Sequence, residues 1–449
     1  MKTLALSMIV KDASLDLAEC LESVAGIVDE VVIADTGSRD RTVEIAKAHG
    51  ARLISIEWED DFAAARNRSL AEVSTDWVLC LDADERLDDT ARNELPLLVN
   101  QERFDAYQVT IRNYVADGGM KIWDREAVAN EGTYSPARGY PAYIEHENVR
   151  LFRHDPSIYF VGRVHESVGW RVRETGKRLG HAQFRIHHLG MARESREAKA
   201  RKLDFYRRLA LMKVADQPEN AQAHLELGLV ELENGGTVAE ALQHFLRACE
   251  LDSSLGVAWY FAGQCQFHLG DPARALECMQ RAENTGHATA QVAEAAGDAS
   301  YNLGDHQAAR KFYQNAKARR RWSASIESKL GLAEARCGET DKGLRRLHRA
   351  IEIEPRNPSL HDRLIVVEAW LGDARRAAEA AENKLEMAPK RAEDFLRTAA
   401  IWSQAKDWER AGEVLRRGVK EFPDSGALRQ LLSQIETRDS ESGVNPQGK

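Results

Sequence analysis

A repeat of 34 residues runs through the second half of this chain of 449 residues. Small residues return at this interval in parallel series, and glycines and prolines keep the same phase. Two of these series are Ala241, Ala275, Ala309, Gly343, Ala377 and Ala411, and Gly236, Gly270, Gly304, Gly338 and Gly372. A unit of this length suits one helix, a tight turn at a left-handed glycine, and a second helix. A single hairpin of this kind cannot bury its apolar face, so the period predicts a solenoid of stacked helix pairs.

The repeated segments resemble the tetratricopeptide (TPR) repeat. The resemblance rests on the length of the unit and on segments such as LELG, FHLGDPARAL and RAIEIEP. It implies six repeats over 219–435 in an all-α superhelical solenoid, which follows a charged linker helix over 191–218. The polar residues after the last repeat predict a disordered tail over 436–449.

The first part of the chain has a different rhythm. Short runs of branched apolar residues alternate with amphipathic segments of ten to twelve residues. Strands are predicted at 3–10, 30–34, 52–56 and 77–81, with helices between them. This alternation indicates βαβ units and a mostly parallel, Rossmann-like sheet. We therefore predict an α/β domain over 1–190, ahead of the helical repeats.

Composition argues against several other classes of protein. Lys and Arg total 62 against 71 Asp and Glu, and a net charge of −9 argues against a nucleic-acid-binding surface along the chain. No apolar run approaches the about 18 residues of a transmembrane helix. The six cysteines form no CxxC pair. Their scatter predicts neither a disulfide framework nor a zinc site, and it favours a reducing, cytoplasmic location.

Acidic residues follow all four predicted strands. They are Asp12, Asp35, Glu59, Asp60, Asp61, Asp82 and Asp84. Ligands of an open parallel sheet bind beyond the carboxyl ends of its strands. Because carboxylates repel a bare phosphate, a phosphate ligand at this edge needs a divalent cation, Mg²⁺ or Mn²⁺, between them. Asp82 and Asp84 can then point one to the metal and one to a ribose.

The same segments resemble family 2 glycosyltransferases of the GT-A fold. The match lies, in order, in IVKDASLDLAECLESV, VVIADTGSRDRTVEIA, DDFAAARNRSL and DWVLCLDADE. It covers residues 1–190 and is closest over 1–90. By this resemblance, the DAD segment is the family's Asp-x-Asp motif. Asp82 and Asp84 would then hold the diphosphate of a nucleotide-sugar through a divalent metal, Mn²⁺ or Mg²⁺.

Four further residues belong to the predicted nucleotide-sugar site. By the resemblance, Asp35 contacts the nucleoside, while Arg66 and Asn67 lie near the base and the diphosphate. Lys11, which follows the first strand, is assigned to the same site. Asp35, Arg66 and Asn67 have structural alternatives, because Asp-Thr-Gly-Ser is also good turn chemistry and a helical Arg-Asn pair is ordinarily a solvated face.

Two later segments predict the rest of the site. VGRVHESV lies where the family's second acidic motif supplies the catalytic base, which makes Glu166, after a predicted strand over 158–164, the predicted base. His165 beside it orients Glu166, binds the acceptor or is itself the base, since this motif reads His-Glu where the family commonly has Glu-Asp. IHHLG ends the domain, where GT-A enzymes often place a histidine metal ligand. His188 is favoured there over His187, and the choice between them stays open.

Together these features predict an inverting, metal-dependent glycosyltransferase. The predicted reaction moves a hexose-type sugar from a nucleotide-sugar, UDP-linked, to a peptide, protein or glycan acceptor. The whole chain resembles peptide S- and O-glycosyltransferases of the sublancin type, and also lipopolysaccharide-core glucosyltransferases. The solenoid is predicted to bind the acceptor or a partner protein, or to form an interface between copies of the chain.

Two other functions stay open at this point. In the first, the solenoid is the functional part and the chain is an interaction scaffold with a degenerate transferase domain. In the second, the same fold and metal serve a nucleotidyltransferase. The intact DAD, AARN and VHES segments argue against the scaffold. Release of pyrophosphate from a nucleoside triphosphate and a sugar phosphate would indicate the nucleotidyltransferase.

Overall fold

The structure is a computed structural model that describes six stretches of the chain. They are 1–116, 121–122, 125–193, 196–320, 322–386 and 391–442. The chain divides into two units, Met1–Leu251 and Asp252–Lys449. None of the helices in the described stretches is long and apolar enough to cross a membrane.

The first unit begins with the predicted alternation of strands and helices. Its elements are β1 (Leu4–Val10), α1 (Leu17–Val24), β2 (Glu30–Asp35), α2 (Thr42–Ala48), β3 (Arg52–Ser55), α3 (Phe62–Ala71) and β4 (Trp77–Cys80). The four strands are parallel and lie in the order β3–β2–β1–β4. The βαβ prediction is confirmed here, because buried apolar strands and one-sided helices bury their faces against each other.

The second half of the sheet mixes strand directions. Its elements are β5 (Glu85–Leu87), α4 (Ala91–Asn100), β6 (Ala106–Val115), β7 (Lys121–Ile122), β8 (Arg125–Glu126), β9 (Val128–Ala129), a 3₁₀ turn (Ser135–Ala137), β10 (Ala142–Arg153), α5 (Gly169–Glu174) and β11 (Leu179–His188). β10 lies antiparallel between β4 and β6, and β11 is parallel to β6 but antiparallel to β5. The sheet is therefore mixed rather than mostly parallel, because β10 enters it against the direction of β4.

The segment before the predicted base is a loop. A strand was expected at 158–164, but the structure has a single antiparallel bridge there, between Val161 and Ser167. Gly162 inside this loop has a φ of 105°, a backbone conformation that glycine adopts readily and that would be strained for a residue with a side chain. His165 and Glu166 therefore lie on a short closed loop, the 161–167 loop, and do not follow a strand.

Helices complete both units. The first unit ends with α6 (Gly190–Arg193), α7 (Arg196–Asp216), α8 (Ala221–Glu233) and α9 (Val238–Leu251). The second contains α10 (Gly256–His268), α11 (Pro272–Asn284), α12 (Ala290–Asn302), α13 (His306–Arg319), α14 (Ala324–Arg336), α15 (Thr340–Ile353), α16 (Pro358–Trp370), α17 (Ala374–Leu385), α18 (Ala392–Gln404), α19 (Trp408–Glu421) and α20 (Gly426–Ser442). α20 runs into the predicted tail over 436–449, whose last residues, 443–449, lie outside the described stretches.

The turn inside each repeat requires a left-handed residue. The glycines at this position have φ values of 84°, 81°, 90° and 80°; they are Gly270, Gly304, Gly338 and Gly372. In the first repeat the left-handed residue is Gly235, one position before the Gly236 of the sequence series. In the last repeat the position is taken by Lys406, which has a φ of 61°. The predicted role of the glycine series in ending the first helix of each pair is thus confirmed from Gly270 to Gly372.

Lys406 offers a direct test of this turn. We expect Lys406→Gly to stabilise the protein and Gly372→Lys to destabilise it, because a side chain in the left-handed region costs about 1 kcal/mol. Thermal unfolding of the two variants and the wild type measures both effects. A lower unfolding temperature for Lys406→Gly would contradict the assignment.

Candidate active site

A cavity of about 750 Å³ opens beyond the carboxyl ends of β1, β2 and β4. Its volume lies within the roughly 300–1,000 Å³ of ordinary small-molecule sites. Seven of the nine predicted site residues line it: Lys11, Arg66, Asp82, Asp84, His165, Glu166 and His188. The fold therefore brings residues from widely separated segments to the edge of the sheet at which the sequence predicted a site.

Arg66 joins two of the predicted acidic residues. It lies on α3, where Asp61 caps the helix by accepting a hydrogen bond from the Ala64 N–H at 2.9 Å. The Arg66 side chain is buried; its Nη2 donates to Asp82 Oδ1 at 2.5 Å and its Nε to Glu166 Oε1 at 2.6 Å. One guanidinium thus stands between the Asp-x-Asp segment and the predicted base.

Two residues that the sequence did not single out extend this contact. Arg150 on β10 donates from Nη2 to Asp82 Oδ2 at 3.2 Å and to Glu85 Oε1 at 2.7 Å. Glu85 also accepts from the Asp82 N–H at 2.8 Å. Burial raises the pKa of Glu85 to about 7, against the opposing charge of Arg150. Burial disfavours the Asp82 anion, but Arg66 and Arg150 hold the pKa of Asp82 well below its usual range.

The Asp84 carboxylate lies at hydrogen-bond distance from His188, and both residues line the cavity. His188 Nε2 lies 3.0 Å from Asp84 Oδ2, and its Nδ1 lies 2.7 Å from Asn113 Oδ1. Because an amide oxygen only accepts, the Nδ1–H donates to Asn113, which leaves Nε2 directed at the carboxylate. Burial lowers the pKa of His188, but the bond to Asp84 raises it more, so the net direction is upward.

His187 occupies a different environment. Its ring stacks on Tyr134 with centroids 3.7 Å apart, and its Nδ1 lies 2.8 Å from the Tyr114 hydroxyl. Burial lowers the pKa of His187 to about 3. Of the two candidate histidines, the structure places His188 beside the Asp-x-Asp segment and His187 in an aromatic cluster.

Two predicted residues do not line the cavity. Asp35 accepts hydrogen bonds from backbone N–H groups of its own turn, including that of Ser38 at 3.1 Å. Asn67 accepts from the Phe160 N–H at 2.8 Å and donates to its carbonyl at 3.0 Å. Both side chains fix the backbone around the cavity, whereas Lys11 lies on its wall with an exposed side chain. The donor-binding roles of these residues stay predictions.

Strained backbone is concentrated at this cavity. Four non-glycine residues in the described stretches have a left-handed φ, and three of them line the cavity. They are Asp12 with a φ of 48°, Asp60 with 56° and His165 with 54°. Such positions cost about 1–3 kcal/mol each and cluster where function requires them.

One wall of the cavity is aromatic, which the sequence did not predict. The rings of Trp58 and Phe62 pack edge to face with their centroids 4.8 Å apart, and the Phe62 centroid lies 6.2 Å from that of Phe205 on α7. The ring centroids of Tyr206, also on α7, and His165 are 6.0 Å apart. Because α7 falls within the predicted linker helix, nothing in the sequence indicated that it reaches the cavity.

The side chains present suit a divalent ion that is shared with a ligand. No group of three or more His, Cys, Asp or Glu among the described residues is arranged to hold a metal by itself. Asp84 and His188 offer two ligands, and Mg²⁺ or Mn²⁺ is commonly bound by one or two protein ligands together with substrate phosphates. Gly190 supports this arrangement, because a Cβ at that position would overlap Asp84 Oδ2.

Two protein-family models match adjacent parts of the chain. Residues 7–195 match the model of glycosyl transferase family 2, and 197–255 match a tetratricopeptide repeat model. The N-terminal domain is a family 2 glycosyltransferase domain. Tetratricopeptide repeats follow it, and the matched repeat region begins within the predicted linker helix and includes α7.

Individual proteins match parts of the chain. A TPR repeat-containing protein of Synechococcus elongatus is 32% identical over 263 residues, which are 55% of this chain and 56% of that protein. An uncharacterized glycosyltransferase of Rickettsia prowazekii is 37% identical over 25% of this chain and 39% of its own length. The SPbeta prophage-derived glycosyltransferase SunS of Bacillus subtilis is 22% identical over 36% of this chain and 34% of its own. This chain thus spans 34% to 56% of the length of these relatives.

Solved structures match the helical part. The Cut9–Hcn1 complex of the APC/C is 18% identical, covers 53% of this chain and 46% of that one, and has a TM-score of 0.41. A TPR protein with an unusual peptide-binding site, YrrB, is 18% identical, covers 42% of this chain and 96% of that one, and has a TM-score of 0.35.

Arg66 and Arg68 provide a matched test of the buried ion pairs. We expect Arg66→Met to lower the free energy of unfolding by about 3 kcal/mol, because it leaves the largely buried Glu166 carboxylate without its cation, whereas the half-buried Asp82 keeps Arg150. Arg68→Met on the same helix breaks only an exposed pair with Glu59 and should cost less than about 1 kcal/mol. Urea unfolding of both variants measures the difference, and equal losses would contradict this account of Arg66.

Proposed function

We propose that the chain is an inverting glycosyltransferase that moves a hexose-type sugar from a nucleotide-sugar to an acceptor nucleophile. The observation that carries the proposal is the placement of Glu166, Asp82 and Asp84 in one cavity, with the Arg66 guanidinium between Asp82 and Glu166. A displacement with inversion requires stabilisation of the departing diphosphate and a base on the opposite face of the sugar. This separation suits both requirements.

In this proposal the donor, with UDP as its nucleotide, lies across the ends of β1, β2 and β4. Lys11 and Arg66 contribute positive charge near the diphosphate. Asp35 and Asn67 support the site through the backbone that they hold, as their hydrogen bonds to Ser38 and Phe160 suggest. Preorganised groups of this kind cost no rearrangement when charge develops on the leaving group.

A divalent cation, Mn²⁺ or Mg²⁺, is assigned to Asp84 and His188. When bound, such an ion supplies Lewis-acid stabilisation of the leaving diphosphate. His188 is suited to this role because Asn113 accepts from its Nδ1–H and so directs Nε2 to the ion. Asp82 was predicted as a ligand as well, but both of its oxygens accept from Arg66 and Arg150. We therefore assign Asp82 to holding these two arginines in place.

Glu166 is proposed as the base. It removes the proton from an acceptor hydroxyl or thiol, and the acceptor oxygen or sulfur bonds to the anomeric carbon as the bond to the diphosphate oxygen breaks. His165, on the strained position next to it, lines the cavity and orients the acceptor. A base of this kind contributes about 10²–10⁴ in rate.

The acceptor is proposed to be a peptide, protein or glycan, with the repeats binding the acceptor or a partner protein. A cytoplasmic location is supported by the six cysteines, which form no disulfide and five of which are buried. An interaction scaffold with a degenerate transferase domain is the alternative. It is disfavoured because a scaffold has no use for three strained residues around a cavity and a buried arginine that pairs with two of the acidic residues lining it.

A donor panel tests the proposal. The purified chain is incubated with nucleotide-sugars and Mn²⁺, and release of the free nucleoside diphosphate is measured. Slow hydrolysis of one donor is expected, with water replacing the acceptor. Absence of release from every donor, together with absence of donor binding, would refute it. Release of pyrophosphate from a nucleoside triphosphate and a sugar phosphate would favour a nucleotidyltransferase.

Asp84 and Gly190 test the metal assignment. We expect Asp84→Asn and Gly190→Ala to weaken Mn²⁺-dependent donor binding by about 10–100-fold, because one removes a ligand charge and the other displaces the carboxylate. Gly139→Ala is the control, since nothing lies within 4 Å of its added Cβ. Calorimetric titration of the donor with Mn²⁺ and with a chelator gives the affinities. Equal affinity of all variants under both conditions would exclude the metal from donor binding.

A second pair of variants distinguishes the roles of Glu166 and His165. Glu166→Gln keeps a hydrogen-bond acceptor for Arg66 but removes basicity, so donor hydrolysis is expected to fall by about 10²–10⁴ while donor affinity stays the same. His165→Asn should have a smaller effect. The opposite order of the two losses would make His165 the base.

A further inference from the structure

A buried lysine of α7 contacts the loop that carries the proposed base. Lys213 Nζ donates to the Val164 carbonyl oxygen at 3.1 Å and to Glu226 Oε2 at 2.6 Å. The side chains of Lys213 and Glu226 are only 7% and 5% exposed. Val164 is the residue before His165, so the lysine touches the backbone next to the two predicted catalytic residues.

The charge of Lys213 is compensated by the first repeat. A buried ammonium ion is costly unless it is paired and hydrogen-bonded. Glu226, which lies on α8, supplies the opposite charge, and its second oxygen accepts from Gln222 at 3.1 Å. α8 lies in the first unit together with the sheet domain. The hydrogen bond to Val164 therefore depends on an acidic residue of the repeat region.

Two further residues of the 161–167 loop, Gly162 and Arg163, lie beside this contact. A Cβ added to Gly162 would lie 3.4 Å from the Val164 carbonyl oxygen and 3.5 Å from Lys213 Nζ. Arg163 is tied to the same helix, because its Nη2 donates to Asp216 Oδ2 at 2.7 Å, and its Nη1 donates to the Asp60 carbonyl at 3.1 Å. Helix α7 thus contacts consecutive residues of the loop from one side.

We propose that the Lys213–Glu226 pair is a positioning device through which the first repeat holds the 161–167 loop in the shape that catalysis requires. By fixing the Val164 carbonyl, Lys213 fixes the left-handed turn at His165 and the path of the chain into Glu166. The proposal rests on the proposed function in assigning Glu166 as the base. Lys213 and Glu226 are positioning residues, since neither lines the cavity.

The alternative is that the pair only docks α7 against α8. A second contact between the same helices separates the two possibilities. Arg207 and Glu231 form an ion pair between α7 and α8 at 2.9 Å, and neither is among the residues that contact the loop or line the cavity. Arg207→Met therefore weakens helix docking without touching the loop.

Hydrogen exchange of the full-length chain tests the positioning without any substrate. The N–H groups of Val161 and Ser167 bond to each other's carbonyls at 3.2 and 3.1 Å, so peptides covering 161–167 report directly on the loop. Lys213→Met is expected to speed their exchange at least about tenfold, whereas Arg207→Met leaves it unchanged. Equal exchange in the two variants would overturn the proposal.

A double variant covers the case in which Lys213→Met does not fold. Lys213→Met/Glu226→Leu removes both charges, which should restore stability because no unpaired ion stays buried. It does not restore the bond to Val164. We expect a folded protein with fast exchange at 161–167, unchanged donor affinity and donor hydrolysis about 10–100-fold slower than wild type. Lys213→Arg, which keeps the charge and the donor groups, should recover part of that rate.

Each outcome is decisive. Wild-type exchange or wild-type hydrolysis in the folded double variant would show that the pair serves docking alone. If the wild type hydrolyses no donor, the proposed function fails, but the exchange data still decide whether Lys213 holds the loop. The failure of one proposal is therefore distinguishable from the failure of the other.

Discussion

The arrangement of the site depends on the buried guanidinium of Arg66. Asp82 follows β4 and Glu166 lies in the 161–167 loop. Both carboxylates are at hydrogen-bond distance from the same buried cation; the Glu166 side chain is 13% exposed and that of Asp82 39%. Without a positive charge between them, these two neighbouring carboxylates would repel each other and destabilise both segments. α3 can present Arg66 because Asp61 caps its first turn, and Asn67, the next residue, fixes the adjacent backbone at Phe160.

Local patterns predicted the first half of the sheet and the repeats. A parallel strand buried on both faces reads as a continuous apolar run, and a 34-residue period repeats the same close contacts, so neither needs knowledge of distant partners. The second half of the sheet depends on pairing between distant strands. β10 lies between β4 and β6, and it carries Arg150 to Asp82. No short-range pattern identifies that contact, which is why Arg150 and Glu85 were missed.

Strand geometry also explains why the sequence left the choice between His187 and His188 open. Successive side chains of β11 point to opposite faces of the sheet. His187 and His188 are chemically identical, and the face that meets Asp84 is set by the neighbours of the strand. Tyr134 stacks on one ring and Asn113 accepts from the other. Both neighbours lie outside the four predicted βα units, so the distinction is a tertiary one.

The buried Lys213–Glu226 pair indicates which helices belong to the same folded body as the candidate site. Ending the chain between α7 and α8 would remove the Glu226 carboxylate that pairs with Lys213 and uncover the face of α7 on which α8 packs. Water would then hydrate the Lys213 ammonium and compete with its hydrogen bond to the Val164 carbonyl. The matched repeat region begins at residue 197 and the first unit ends at Leu251. On physical grounds, therefore, α7 and α8 belong to the body that forms the candidate site, and α9 completes the unit that contains it.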